Sequence, residues 1–76
     1  MTLEEVFAEV FGEPAESFTD ESDRETVLGW TSMRHVTLLV QIENAFGVRF
    51  SNPEMATMRS LGDIRAALAD KEATVS

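Results

Sequence analysis

The amino-acid sequence predicts an all-α fold, a small four-helix bundle with three main helices, one short helix and a long first loop. The chain has 76 residues, of which 43% are hydrophobic and 26% charged, a composition typical of a globular protein with one core. Three segments space their apolar residues three or four apart, and Gly or Pro marks most of their boundaries. We therefore expect one domain over 1–76, with an ordered core at about 2–70 and a polar tail at 71–76.

The first helix is predicted over 2–11. Thr2 and Glu5 fit a capping box, in which the side chain of each residue accepts from the backbone N–H of the other. Gly12 suits the position after a helix, and Pro14 cannot continue one. The buried stripe is predicted to consist of Leu3, Val6, Phe7 and Val10, with Phe11 beside it.

A long connection over 12–31 follows, and its apolar residues predict that it is ordered. A structureless segment of this length is uncommon inside a compact domain. Ser22 and Glu25 form a second capping-box pair, which predicts a single turn over about 23–28. The predicted anchors to the core are Phe18, Val27, Leu28 and Trp30.

The second helix is predicted over 33–46, because Ser32 is a favourable N-cap and no Gly or Pro occurs before Gly47. Its core stripe is predicted to be Met33, Val36, Leu39, Ile42 and Phe46. Its outer face is predicted to carry Arg34, Thr37, Gln41 and Asn44, with Val40 at the border. Glu43 is the only acid of this segment, so the outer face is neutral to slightly basic.

Two further signals complete the bundle. Asn52 followed by Pro53 predicts a short helix over about 53–58. Ser60 with Asp63 resembles another capping pair, which opens a last helix running to about Asp70. The apolar stripe of that helix is Leu61, Ile64 and Leu68.

Composition excludes several kinds of site. The chain has no cysteine, which excludes disulfides, zinc-thiolate sites and cysteine nucleophiles, and its single histidine, His35, argues against a metal site. No Gly-rich phosphate loop, EF-hand or zinc spacing is present. No apolar run reaches membrane-spanning length, and the first twenty residues contain no base, unlike a secretory leader. We expect a soluble cytoplasmic protein.

Charge is distributed unevenly along the chain. Fourteen acids and six bases give a net charge of −8, the wrong sign for holding a nucleic-acid backbone. The segment 1–25 holds nine of the acids and one base, Arg24. This polarity fits either a solvated, solubilising surface or a surface that orients the chain toward a basic partner.

Ser32 is the residue most suited to covalent chemistry. At the start of the central helix, its hydroxyl would lie beside unpaired N–H groups that attract phosphate oxygens, with Arg34 and His35 close by. The plain alternative is that Ser32 only caps the helix. A nucleophile–base pair with His35 is a further reading, but no third group is evident to orient the imidazole. His35 is instead expected near the phosphate or at the surface.

The chain from Gly29 onward resembles the acyl carrier protein family. In that family a D-S-L tripeptide opens a helix and is followed by the pattern V-x-L-h-x-x-h-E-x-x-F-G and two further helices. Here the tripeptide is Thr31-Ser32-Met33, and the run over 36–47 is V-T-L-L-V-Q-I-E-N-A-F-G. The run T-M-R-S-L-G-D-I over 57–64 resembles the polar turn and helix start near the family's C-terminus. The similarity covers nearly the whole chain.

The resemblance implies a stand-alone carrier that is not itself an enzyme. By it, a phosphopantetheinyl transferase esterifies Ser32 with 4′-phosphopantetheine taken from coenzyme A. The thiol of this arm then holds acyl or aminoacyl groups as thioesters for the acyl-loading and acyl-processing enzymes of a pathway. The protein is expected to be a monomer that binds neither nucleic acid nor membrane. The residues expected to face partner enzymes are Thr31, Met33, Arg34, Thr37, Val40, Gln41 and Asn44.

Two residues depart from the family pattern. Thr31 replaces the aspartate that precedes the serine, which removes a charge used in contacts with partners or with the modifying enzyme. Arg34 stands where fatty-acid carriers commonly have an acid. Trp30 before the tripeptide is common in discrete carriers of bacterial natural-product pathways. We therefore expect the protein to act in a dedicated pathway of polyketide or related biosynthesis. Ordinary fatty-acid synthase enzymes are expected to be poor partners.

Other hypotheses stay open from the sequence. Thr31 and Met33 also fit an unmodified helical interaction domain that has lost the arm, whereas the net charge opposes a DNA-binding helical module. Met55 and Met58 fit either an adaptable rim where an acyl chain enters between helices or plain packing. Trp30 fits either a shield for the arm or an anchor for the loop.

Overall fold

The computed structural model describes residues 2–75, whose backbone forms four α-helices joined by loops. The helices are α1 (Leu3–Phe11), α2 (Ser32–Phe46), α3 (Asn52–Thr57) and α4 (Leu61–Val75), and a single 3₁₀ turn (Ala15–Ser17) lies in the first loop. This confirms the predicted all-α bundle with one short helix and a long first loop. Met1 and Ser76, the last residue of the predicted tail, lie outside the described residues.

Helix α1 begins and ends where the sequence predicts. The Thr2 hydroxyl accepts from the Glu5 N–H at 3.2 Å, and the Glu5 carboxylate accepts from the Thr2 N–H at 2.7 Å. The bond from the Thr2 backbone is the largest influence that lowers the pKa of Glu5 from its ordinary value of 4.5. At the other end Gly12 adopts a left-handed φ of 71°, and its N–H donates to the Ala8 carbonyl.

The core centres on an aromatic cluster where α1, the first loop and the start of α2 meet. Phe7 is fully buried, and its ring centre lies 5.4 Å from those of both Phe18 and Trp30. The Phe11 ring lies 5.7 Å from Trp30 and 6.2 Å from Phe18. Tilted and edge-on contacts of this kind add to the free energy gained by burying the rings. This cluster holds the loop against α1.

The first loop is anchored as predicted at three of four positions. Phe18, Val27 and Trp30 are buried. Leu28, the fourth predicted anchor, is 93% exposed, so that prediction was wrong. The chain turns at Gly29, which has a φ of 89°, between the buried Val27 and Trp30, and this turn leaves Leu28 on the outside.

The predicted Ser22–Glu25 capping pair does not form. The Ser22 hydroxyl instead accepts from the Thr19 N–H at 2.9 Å. Asp23 Oδ1 accepts from the N–H groups of Glu25 at 2.9 Å and Thr26 at 3.0 Å. Aspartate favours such local turns because its short side chain reaches the backbone two and three residues ahead. The chain therefore does turn in this region, but the turn is built on Asp23.

The first loop also caps helix α4. The N–H of Leu61 donates to the Ser22 carbonyl and that of Gly62 to the Asp20 carbonyl, both at 2.9 Å. These are two of the N–H groups that a helix N-terminus leaves without a partner inside the helix. A Cβ on Gly62 would lie 2.9 Å from the Asp20 carbonyl oxygen, so only glycine allows this approach without a shift.

Arg65 joins α4 to both α1 and the first loop. Its guanidinium donates to Asp20 at 2.9 Å and also bonds Glu4. These contacts, first with Asp20 and then with Glu4, raise the pKa of Arg65 above its ordinary value. The side chain is 45% exposed, and exposed ion pairs add little stability singly. Its main effect is to fix the loop over the start of α4.

The predicted core stripe of helix α2 is confirmed at Leu39 and Ile42 and wrong at two other positions. Met33 and Val36, predicted in the core stripe, are 84% and 59% exposed. The buried residues are His35, Leu38, Leu39, Ile42 and Glu43. The prediction was wrong at Met33 and Val36 because it took only apolar residues into the core, whereas His35 and Glu43 lie inside with hydrogen-bond partners. Phe46, the last residue of the predicted stripe, is half-buried.

Helix α3 is capped by Ser51 rather than by Asn52, so it begins one residue earlier than predicted. The Ser51 hydroxyl accepts from the Glu54 N–H at 3.2 Å, and the Glu54 carboxylate accepts from the Ser51 N–H at 2.8 Å. The bond from the Ser51 backbone is the largest influence that lowers the pKa of Glu54 from 4.5. Lys71, 3.1 Å from this carboxylate, lowers it further.

Helix α4 starts as predicted but ends later. The Ser60 hydroxyl accepts from the Asp63 N–H at 3.1 Å, and the predicted stripe of Leu61, Ile64 and Leu68 is buried. The helix continues to Val75 instead of ending near Asp70, since neither Gly nor Pro occurs between Asp70 and Val75. Among the helices within 2–75, none is long and apolar enough to cross a membrane.

We predict that Gly62→Ala lowers the free energy of unfolding by about 1–3 kcal/mol, because the new methyl group collides with the Asp20 carbonyl. Helix propensity alone would favour alanine by about 1 kcal/mol. The sign of the change in the free energy of unfolding therefore decides between the steric clash and the propensity effect. Urea unfolding followed by circular dichroism measures it. In the control, Ala66→Gly on the exposed face of α4, only the propensity loss of about 1 kcal/mol is expected. A more stable Gly62→Ala protein would contradict the proposed contact.

Candidate functional site at the start of helix α2

Ser32 lies exposed at the first residue of α2 and does not cap the helix as predicted. The N-cap is Thr31, whose hydroxyl accepts from the Arg34 N–H at 3.2 Å. The Thr31 carbonyl accepts from the His35 N–H at 2.8 Å, which starts the helical hydrogen-bond pattern. Threonine at position 31 therefore has a structural role of its own, and the Ser32 hydroxyl is left with no bond to the described part of the chain.

The environment of Ser32 fits an attached phosphate. Capping by Thr31 uses one of the first N–H groups of α2, while those of Ser32 and Met33 have no acceptor within the described residues. The positive end of the dipole of this 15-residue helix points at the same place. A phosphodiester on the Ser32 oxygen would bring negative oxygens next to these N–H groups. The residues present thus suit a phosphate-linked group.

His35 links three elements just inside this site. Its Nδ1 lies 3.0 Å from the Trp30 indole Nε1, and its Nε2 lies 2.9 Å from the Met55 carbonyl oxygen. An indole N–H can only donate, so Nδ1 must accept and carries no proton. The proton of the neutral ring is then on Nε2, which donates to Met55. We call this arrangement the His35 bridge; it joins the loop through Trp30, helix α2 through His35 and helix α3 through Met55.

The His35 bridge rules out the nucleophile–base reading. Both ring nitrogens of His35 are bonded to groups other than Ser32, and the side chain is 7% exposed. The expectation that His35 lies at the surface was also wrong, because the residue is buried. Trp30 is 4% exposed, which agrees with the anchoring role. No sequence pattern indicated Met55 as the partner, because its contribution is a backbone carbonyl.

The two methionines considered as a rim differ in burial. Met58 is 3% exposed and belongs to the core, which supports plain packing at that position. Met55 is half-buried against the core, and its carbonyl belongs to the His35 bridge. Within the described residues, no group of three or more His, Cys, Asp or Glu side chains could hold a metal ion.

The outer face of α2 next to Ser32 is nearly uncharged and carries both apolar and polar side chains. Met33 and Val36 are largely exposed, and Val40 is 44% exposed. The other residues expected to face partners are also exposed: Thr31, Arg34, Thr37, Gln41 and Asn44. The guanidinium of Arg34 is not free, because it donates to the Val10 carbonyl near the end of α1 at 2.5 Å.

Glu43, the only acid in α2, does not contribute to this surface. Its side chain is 8% exposed, and Oε2 accepts from the Phe50 N–H at 2.8 Å. Arg49 lies 3.6 Å from the other oxygen. A buried carboxylate is stable only when such partners satisfy it. Glu43 therefore fixes the turn after α2, and the exposed face of the helix carries no acid.

We predict that Trp30→Phe lowers the free energy of unfolding by about 1–3 kcal/mol, because it leaves the buried Nδ1 of His35 without a donor. In a double-mutant cycle with His35→Ala, the coupling energy is expected to be about 1 kcal/mol. Urea unfolding gives the energies, and ¹⁵N NMR of the ring shows whether Nε2 carries the proton. Additive losses, or a proton on Nδ1, would show that the bridge is absent.

Comparisons with known proteins agree with this geometry. Residues 2–68 match the family model described as a phosphopantetheine attachment site. The chain is 31% identical over 68 residues to an acyl carrier protein of Saccharopolyspora erythraea, covering 90% of this chain and 72% of that protein. Its fold is similar to the solution structure of a holo acyl carrier protein from Geobacter metallireducens, with a TM-score of 0.84 and 25% identity over 95% of this chain and 83% of that one.

The family match extends over most of the chain, and the helical fold agrees with it over nearly the whole length. Proteins of this family are carriers rather than enzymes, and their cofactor is covalently attached 4′-phosphopantetheine. They interact with a phosphopantetheinyl transferase and with the enzymes of a pathway. The chain described here belongs to the phosphopantetheine-binding acyl carrier protein family.

Proposed function

We propose that this protein carries 4′-phosphopantetheine on Ser32 and presents acyl or aminoacyl groups to the enzymes of a secondary-metabolite pathway, polyketide or related. One observation carries the assignment of the serine. Ser32 is exposed and is the first residue of α2, directly after the long first loop. It lies beside two backbone N–H groups that have no acceptor in the described chain. The helix dipole favours the negative charge of a phosphodiester at this place.

The chemistry divides between the arm and the chain. When attached, the arm supplies a thiol that this cysteine-free chain lacks, and the thiol holds the cargo as a thioester. The residues of the chain do no bond-making on the cargo. Thr31 and the His35 bridge hold the start of α2, and the N–H groups of Ser32 and Met33 stabilise the charge at the attachment point.

The outer face of α2 supports a dedicated pathway rather than fatty-acid synthesis. The exposed residues of this face include Met33, Val36 and Val40 and no acid. A partner that contacts this face gains affinity by burying apolar side chains, and it needs no strongly basic surface there. We propose that Thr31, Met33, Arg34, Thr37, Val40, Gln41 and Asn44 form this contact surface. A monomer in the cytoplasm, where coenzyme A is made, suits a carrier that visits several enzymes through one face.

We predict that Ser32→Ala abolishes modification. The wild-type protein, incubated with coenzyme A and a broad-specificity phosphopantetheinyl transferase, gains one phosphopantetheinyl group by intact-mass spectrometry. In the matched control, Ser17→Ala, another exposed serine is removed and full modification is expected. If the wild type gains no mass with the transferases of its own organism, the chain is an unmodified interaction domain and the proposal is wrong.

We predict that Val40→Asp raises the KM for the carrier in the transferase reaction by about tenfold, because it puts a charge into the apolar contact surface. The kcat is expected to change little, since the residue does not touch the reacting serine. Ala66→Asp adds the same charge on the exposed face of α4 and serves as the control. Equal effects of the two substitutions would show that net charge, and not the α2 surface, determines binding.

A further inference from the structure

The basic residues of this chain fall into two groups by their contacts. Four of the six have a partner for the charged group: Arg34 bonds the Val10 carbonyl, Arg49 faces Glu43, Arg65 bonds Asp20 and Glu4, and Lys71 bonds Glu54. The guanidinium groups of Arg24 and Arg59 have none among the described side chains, although the chain contains fourteen acids. These two residues also share one location.

Arg24 and Arg59 line the same cleft, which has a volume of about 460 Å³. One wall is the first loop at Asp23, Arg24 and Glu25, and the other is the end of α3 at Ala56 and the following Arg59. We call it the arginine cleft. Two guanidinium groups without a carboxylate partner in the described chain line one cleft, and both offer N–H donors to an anion that enters it.

The acids of the arginine cleft do not already serve as that anion. Asp23 Oδ1 accepts from the N–H groups of Glu25 and Thr26, so this carboxylate is committed to the turn. No carboxylate oxygen of the described residues, including those of Glu25, lies within 4.0 Å of a guanidinium nitrogen of Arg24 or Arg59. The cleft thus retains donors that the fold itself leaves unused.

The backbones that carry the two arginines are fixed. Arg24 lies inside the turn that Asp23 closes with the Glu25 N–H at 2.9 Å. The Arg59 N–H donates to Asp63 at 3.1 Å in the first turn of α4. Only the side chains have to be ordered when an anion binds, which lowers the entropic cost of binding. Guanidinium groups suit carboxylate and phosphate oxygens because their N–H donors match both in a paired geometry.

The arginine cleft lies on the part of α3 that is bonded to the start of α2. Ala56 in its wall follows Met55, whose carbonyl oxygen is 2.9 Å from His35 Nε2. His35 is one turn after Ser32, the proposed attachment residue. The other wall, at Arg24, belongs to the loop that leads into Trp30 and Ser32. Both walls of the cleft are therefore connected to the first turns of α2, where an arm on Ser32 would begin.

We propose that the arginine cleft binds an anionic group brought by the arm on Ser32, through paired contacts from Arg24 and Arg59. The anion is a free carboxylate on a dicarboxylic acyl cargo, because the phosphodiester of the arm lies at the N–H groups of Ser32 and Met33. The proposal rests on the proposed function, since without an arm at Ser32 this carboxylate is not delivered.

The experiment compares four forms of the protein by NMR of the arginine side-chain N–H groups and of the Ala56 amide. The forms are the unmodified protein and the products of a broad-specificity transferase with coenzyme A, butyryl-coenzyme A and succinyl-coenzyme A. Butyryl and succinyl groups have the same number of carbon atoms and differ by the terminal carboxylate. Intact mass confirms the modification of each form before the spectra are compared. Arg49, which is 84% exposed, is the internal control.

Binding is expected to shift the Arg24 and Arg59 side-chain resonances and to slow their N–H exchange roughly tenfold, with Arg49 unchanged. A change in the succinyl form alone supports the cargo carboxylate, whereas an equal change in all three modified forms would show that the arm itself causes it and would contradict the proposal. The paired substitution Arg24→Gln and Arg59→Gln is expected to remove the Ala56 shift. If mass shows modification and no form alters these groups, the arginine cleft is not an anion site. Absence of modification would instead overturn the proposed function, and this proposal with it.

Discussion

The arrangement of this small bundle depends on the hydrogen bonding of one neutral imidazole. Trp30 can only donate to His35, so the proton of the ring must point to the Met55 carbonyl. Through these two bonds the long loop and α3 are both fixed to the first turns of α2. Loss of either bond would leave a polar atom buried without a partner, which costs more than the bond itself contributes. The position of α3 beside the start of α2 follows from this constraint.

The sequence predicts α1 and α4 well because local signals and apolar spacing agree there. At α1 the capping box of Thr2 and Glu5, the apolar stripe and Gly12 all give the same boundaries. In α2 the apolar spacing starting at Met33 was misleading, since the inward positions include His35 and Glu43. Both polar residues are buried because groups elsewhere in the fold satisfy them, a backbone carbonyl on α3 and the Phe50 N–H. Such partners come from the tertiary structure, and the apolar periodicity of one segment does not indicate them.

The sequence indicated the central residue of the candidate site, Ser32, but not the groups that hold it in place, the Thr31 cap and the His35 bridge. Ser32 followed from the resemblance and from its place at a helix start, whereas the capping role of Thr31 was assigned to Ser32 itself. The error matters for function, because a side chain that caps the helix has its oxygen turned to the backbone. With Thr31 as the cap, the Ser32 hydroxyl has no bond to the described residues. The threonine that stands at the family's aspartate position thus caps the helix without placing a negative charge beside the serine.

The burial of His35 and Glu43 also determines what α2 offers to other proteins. With these two polar residues in the core, the exposed side of the same helix carries the apolar residues Met33, Val36 and Val40. The same burial removes the only acid of α2 from the surface, so the excess negative charge lies on other elements, chiefly the segment before residue 26. On the proposed function, a partner enzyme approaching Ser32 is oriented at long range by the acids of this segment and held at short range by the exposed apolar side chains of α2. Affinity and orientation then arise from different parts of the chain.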